Sequence, residues 1–102
     1  MNGFTSFIAE DRRLQILRFL VELQGAANET VILTAMRHAG FAASTRSDIR
    51  ADLEHLERID AVARDWVGEI CVVKLTERGD ELAHGRIAAG GVKHERDWRR
   101  GT

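Results

Sequence analysis

The sequence predicts a mainly α domain carrying one small antiparallel β-hairpin, and three observations carry that prediction. Residues 44–60 hold a clear amphipathic helical pattern. Two other helical stretches precede it. Directly after Asp60 the pattern changes to two runs rich in β-formers, and a last short helical stretch follows. Three helices, a hairpin and a fourth helix in that order are how a winged helix-turn-helix is built, with the third helix entering a groove of DNA.

The first helix is expected over residues 6–24, stopping at Gly25. Leu14, Leu17 and Val21 lie along one line of it, Ile16, Leu20 and Leu23 along a neighbouring one, and Phe19 extends the arc. Together they cover more than half the circumference, whereas one small core needs a stripe of roughly 100°. Two explanations stand: the Leu17, Phe19 and Val21 region meets a second copy in a homodimer, or the hairpin and final helix wrap around it within one chain. The second helix is expected over 29–39, with Asn28 as N-cap and Glu29 where the helix dipole favours a carboxylate. Ile32, Leu33, Met36 and Ala39 mark its buried side, Gly40 ends it, and GlyPheAlaAla makes a short turn with Phe41 as a core plug.

The central helix is expected over 45–59. Ser44 or Thr45 starts it, and Asp48 completes a loose capping box. Ile49, Leu53 and Leu56 fall on one side, and Ser47, Arg50, Ala51, Glu54 and Arg58 on the other. Asp60 follows, a residue that tolerates the left-handed conformation better than most. Strands are expected over 61–66 and 70–75, turning at Val67-Gly68, with Trp66 folding back on the hairpin base and Cys71 as a small core residue. Thr76 is the expected N-cap of a helix over 77–85. Residues 1–86 therefore form the domain, and residues 87–102, with scattered charges and no periodicity, a basic and partly disordered tail.

Composition bounds the function. The 102 residues suffice for one domain, and 44% hydrophobic with 30% charged residues fits a folded chain. No stretch approaches the ~20 apolar residues that span a bilayer, and the first residues carry no basic n-region, so a cytoplasmic protein with no membrane role is expected. A lone cysteine, Cys71, excludes an internal disulfide. Charge is unevenly spread: residues 1–85 balance at −4 and residues 86–102 at +3. Arginines outnumber lysines 13 to 2, which suits bidentate contacts but is also what a GC-rich genome produces. His38, His55, His84 and His94 show no metal-ligand spacing, and no nucleophile–base pair or phosphate loop stands out. The expectation is a protein without catalysis, metal or cofactor.

The candidate DNA-binding residues are Thr45, Arg46, Ser47, Arg50, Glu54 and Arg64. Arg46 and Arg50 can contact guanine or anchor on phosphate, Thr45 and Ser47 can donate to phosphate at the helix start, and Glu54 can accept from a cytosine amine. Arg64 is the hairpin's cation, near its tip but beside Asp65 and Glu69. Lys93, Arg96, Arg99 and Arg100 in the tail are candidate phosphate contacts on double-stranded DNA. The plainer reading pairs Arg50 with Glu54, and Glu54 with Arg58, as i,i+4 partners on a solvated face.

The LeuThrGluArgGly stretch at 75–79 and the AspLeu-x-x-Leu segment at 52–56 resemble winged-helix regulators of the MarR, PadR and ArsR type. More closely, IleAlaGluAspArgArgLeu (8–14), AspLeu (52–53), ThrGluArgGly (76–79) and GlyValLys (91–93) look like the small winged-helix proteins of Mu-like phages and prophages. The resemblance covers most of the chain. It implies a small phage DNA-binding regulator; the alternative is a winged helix kept as a protein-interaction module in a phage or host assembly.

Overall fold

The structure, a computed structural model, describes residues 3–94. Four helices pack around a three-stranded antiparallel sheet: α1 (Gly3–Glu22), β1 (Ala26–Asn28), α2 (Glu29–His38), α3 (Arg46–Arg58), β2 (Val62–Val67), β3 (Ile70–Leu75) and α4 (Glu77–Ala83). The sheet order is β1-β3-β2. The protein is thus mixed α/β, and the layout is compatible with that of a winged helix.

Each element begins and ends for a local reason. Asn28 caps α2 by accepting from the Val31 amide at 2.9 Å. Helix α1 closes at Gln24, φ 61°, where the Gly25 amide reaches the Leu20 carbonyl at 2.8 Å and the Gln24 amide reaches Val21 at 3.0 Å; this is a Schellman closure. Leu23 lies beyond the last turn and is exposed. Helix α3 closes the same way, with Asp60 at φ 63° and the Ala61 amide on the Leu56 carbonyl at 2.8 Å. The expected left-handed aspartate is therefore observed.

The hairpin joins β2 to β3 through Gly68 and Glu69, one residue later than the sequence suggests, in the register Val67↔Ile70 to Val62↔Leu75. A third strand, β1, was not expected. AlaAlaAsn holds no strong β-former, and its strand exists because Ala26, Ala27 and Asn28 pair with Lys74, Val73 and Val72. The connection from α2 to α3, residues 39–45, is longer than the four-residue turn expected. It is braced where Arg37 Nε donates to the Ser44 carbonyl at 2.9 Å and the Ser44 amide to Phe41 at 3.0 Å.

The core takes Leu14, Ile16, Leu17 and Leu20 from α1, Ile32, Leu33 and Met36 from α2, Ile49, Leu53 and Leu56 from α3, and Val62, Cys71 and Val73 from the sheet. Phe19 and Val21 pack against it. The wide apolar arc of α1 is thus used within the chain: α4 lies on it, and Leu17 is fully buried. Cys71 is the core residue expected, and burial pushes its thiol above the ordinary range.

Residues 87–94, assigned to a tail by sequence, lie along the body. Val92 is buried, and Ile87 and Ala89 pack on the core. Arg13 Nη1 donates to the Gly91 carbonyl at 2.9 Å, His55 Nε2 to Gly90 at 2.9 Å, and the Lys93 amide to Glu10 at 3.1 Å. Such a strap has no helical or strand period because long-range bonds and one buried valine hold it.

Candidate nucleic-acid interface

The capping box of α3 forms. Thr45 Oγ1 accepts from the Asp48 amide at 3.1 Å, and Asp48 Oδ2 accepts from the Thr45 amide at 2.9 Å. That backbone bond is the main reason the Asp48 carboxyl lies below its ordinary range. Thr45 is therefore engaged in the cap, and Ser47 is exposed beside it. As first-turn amides, those of Arg46 and Ser47 have no acceptor within their own helix.

Arg46 and Arg50 come together, on a residue the sequence reading did not place in the site. Glu29, the first residue of α2, sits between them with its side chain 4% exposed. Its Oε1 accepts from Arg46 Nη1 at 2.8 Å and from Arg50 Nε at 3.0 Å; its Oε2 lies 3.2 Å from Arg50 Nε. Arg46 Nη2 also donates to Thr30 Oγ1 at 3.2 Å. The expected pairs of Glu54 with Arg50 and Arg58 do not form; Glu54 is exposed and has no ion pair among the described residues. The sequence marks Glu29 only as the acid at the start of α2; packing of α2 on α3 brings it to Arg46 and Arg50.

These side chains border an open cleft lined by Asn28, Glu29, Thr30, Arg46, Arg50, Glu69, Ile70 and Cys71. The far wall is the hairpin turn, and it supplies a carboxylate. Arg64 does not reach outward from the tip. Its register opposite Val73 puts it mid-hairpin, and it turns back to Glu57 of α3 with Nη2 at 2.9 Å and Nε at 3.2 Å. This bond holds the Glu57 carboxyl below its ordinary range and the guanidinium above its own. Trp66, expected to fold onto the hairpin base, is 54% exposed, and Val67 and Ile70 beside it are also exposed. These side chains lie next to the two-residue turn and stay exposed among the described residues.

Lys93 lies on the α1 side, its Nζ 3.9 Å from Asp11. Arg96, Arg99 and Arg100 fall outside the described residues. The surface thus offers one guanidinium pair around a shared carboxylate, with one net positive charge, at the start of an exposed helix.

The chain is 35% identical over 89 residues to the uncharacterized protein gp26 of Escherichia phage Mu, a match covering 87% of this chain and 92% of that protein. The chain belongs to the gp26 family. Its phage origin follows from that kinship. No family model matches the chain, and no solved structure matches it. The match to gp26 spans most of both proteins.

Proposed function

We propose that this phage protein is a small DNA-binding regulator of winged-helix layout, acting without catalysis as a homodimer. The observation that carries the reading is the Arg46–Glu29–Arg50 arrangement at the exposed start of α3. It holds two guanidiniums beside the first-turn amides of a helix N-terminus, the position from which a recognition helix addresses base edges and phosphates. The hairpin adds no outward cation among the described residues, because Arg64 is held by Glu57 and Lys74 lies 3.7 Å from Asp65. Phosphate affinity rests on this helix start together with the candidate contacts at Lys93, Arg96, Arg99 and Arg100, the last three outside the described residues, and it falls as salt rises. A fluorescence titration of mixed genomic duplexes at low and moderate salt tests this. Binding that weakens with salt is expected, and Arg50→Ala reduces discrimination between sites by roughly 1–3 kcal/mol. Absence of binding at low salt removes the reading.

The hairpin tip favours a second reading, a protein-interaction module. Trp66, Val67 and Ile70 are 54%, 67% and 56% exposed, with Asp65 and Glu69 as chain neighbours. An apolar tip edged by carboxylates suits a protein surface better than a phosphate backbone.

A further inference from the structure

We propose that Glu29 is a positioning residue that gives the two arginines different roles, Arg50 as the reading fork and Arg46 as a brace. The proposal rests on the DNA-binding reading and deepens it. Arg50 is held only at Nε, by both oxygens of Glu29, and its two terminal nitrogens have no partner among the described residues. A guanidinium fixed at Nε has its plane set while its terminal pair points away from the anchor. That pair fits two acceptors lying in one plane, such as guanine O6 and N7 or two oxygens of one phosphate. Arg46 is bound the other way round: Nη1 is on Glu29 and Nη2 on Thr30. Both of its terminal nitrogens are engaged, so it ties α3 to the start of α2 and its end-on fork is held by the protein. Glu29 can do this because it is 3% exposed and bonded to both partners. Its carboxylate cannot swing to solvent. The sequence already sets Arg50 on the exposed side of the helix and Arg46 on its flank; the hydrogen bonds add Glu29 as the residue that fixes both.

The test is selection of a randomised duplex library by the full-length protein and its variants, followed by salt titration on the selected duplex. Removing Glu29 strands no buried charge, because the arginine side chains are 44% and 52% exposed and can hydrate. Glu29→Ala should therefore fold, and its melting curve checks this. Glu29→Gln keeps an oxygen acceptor for Arg50 and is the rescue variant. The expected result is that Arg50→Ala and Glu29→Ala both lose preference for particular guanines, about tenfold or more against the mismatched duplex. Arg46→Ala and Glu29→Gln largely keep it. Replacing those guanines with 7-deazaguanine should weaken the wild type and leave Arg50→Ala unchanged. If Arg50→Ala and Glu29→Ala instead weaken all sequences alike with a shallower salt slope, the fork is upheld and its acceptor is phosphate. Equal loss of preference in Arg46→Ala and Arg50→Ala overturns the division of roles. Unchanged preference and slope in Glu29→Ala overturns the positioning role alone. A wild type that selects no duplex overturns the DNA reading together with this inference.

Discussion

Asp52 is 1% exposed, and a carboxylate that far from water persists only with charged partners. Two reach it from consecutive positions of α1. Arg12 contacts it through Nε and through Nη2 at 3.2 Å, and Arg13 through Nε at 3.1 Å. Burial pushes the Asp52 carboxyl upward, and the two guanidiniums oppose that push. Arg12 is itself buried, so deleting the acid leaves an uncompensated cation inside. Asp52→Ala should lower unfolding free energy by roughly 3–5 kcal/mol in urea denaturation, and an unchanged midpoint would show the cluster to be idle. Asp60 poses the opposite case. At φ 63° it holds a conformation that costs an ordinary L-residue roughly 1–2 kcal/mol. Aspartate bears it with less strain than most, and glycine with none. Asp60→Gly should raise stability by about 0.5–1 kcal/mol, read as a higher denaturation midpoint.

At the scale of elements, the four motif stretches have structural work to do. Arg12 and Arg13 lie in the first, Asp52 in the second, and Gly91 in the fourth; these three stretches meet in one ionic and hydrogen-bonded cluster. A Cβ on Gly91 would fall 2.2 Å from His55 Nε2, so the strap crosses α3 only at a glycine. The third stretch latches the α3–β2 turn. Thr76 Oγ1 donates to the Asp60 carbonyl at 2.5 Å, Arg78 Nε to Ile59 at 2.9 Å, and a Cβ on Gly79 would lie 2.0 Å from the Ala61 carbonyl oxygen. These residues carried the resemblance, and in the structure they secure the fold. Strand β2 is one edge of the sheet, and Glu57 covers part of it by accepting from the Arg64 amide at 3.2 Å as well as from its guanidinium. Because the Glu57 carboxyl is depressed, its contribution is present above the ordinary value of 4.5 and is lost as pH falls through its folded value. Glu57→Gln should flatten the acid limb of a stability-versus-pH curve, and parallel limbs would dismiss the effect. Helices and hairpin were legible because each buries a periodic face. Strand β1 and the strap were not, since their stability comes from partners far along the chain. Within the site, Arg46 and Arg50 were legible from exposure on α3, whereas Glu29 joins them only through the packing of α2.

At the scale of the molecule, the most exposed apolar surface of α1 lies ahead of the stretch the sequence pointed to. Leu17 is buried, and Phe19 and Val21 pack on the core while staying partly exposed. At the start of α1, Phe4, Phe7 and Ile8, at helical spacing, are 80%, 70% and 51% exposed. Beside them runs a shallow groove lined by Ile8, Phe41, Ala42 and Ala43. A ridge and an apolar groove on the same chain suit a two-fold pair in which each ridge meets the other copy's groove. The three side chains offer roughly 400 Å² per chain, about half of the ~800 Å² per partner of a standard interface, and the groove can add to it. Phe7→Glu places a charge on the ridge and disturbs no core contact, so the proposed homodimer should become a folded monomer whose melting temperature no longer rises with concentration. Phe19→Glu should instead lower the melting temperature, because that ring lies against the core. Sedimentation velocity separates the two outcomes. A wild-type monomer at high concentration would remove the homodimer, and a Phe7→Glu variant that remains dimeric would move the interface away from the start of α1.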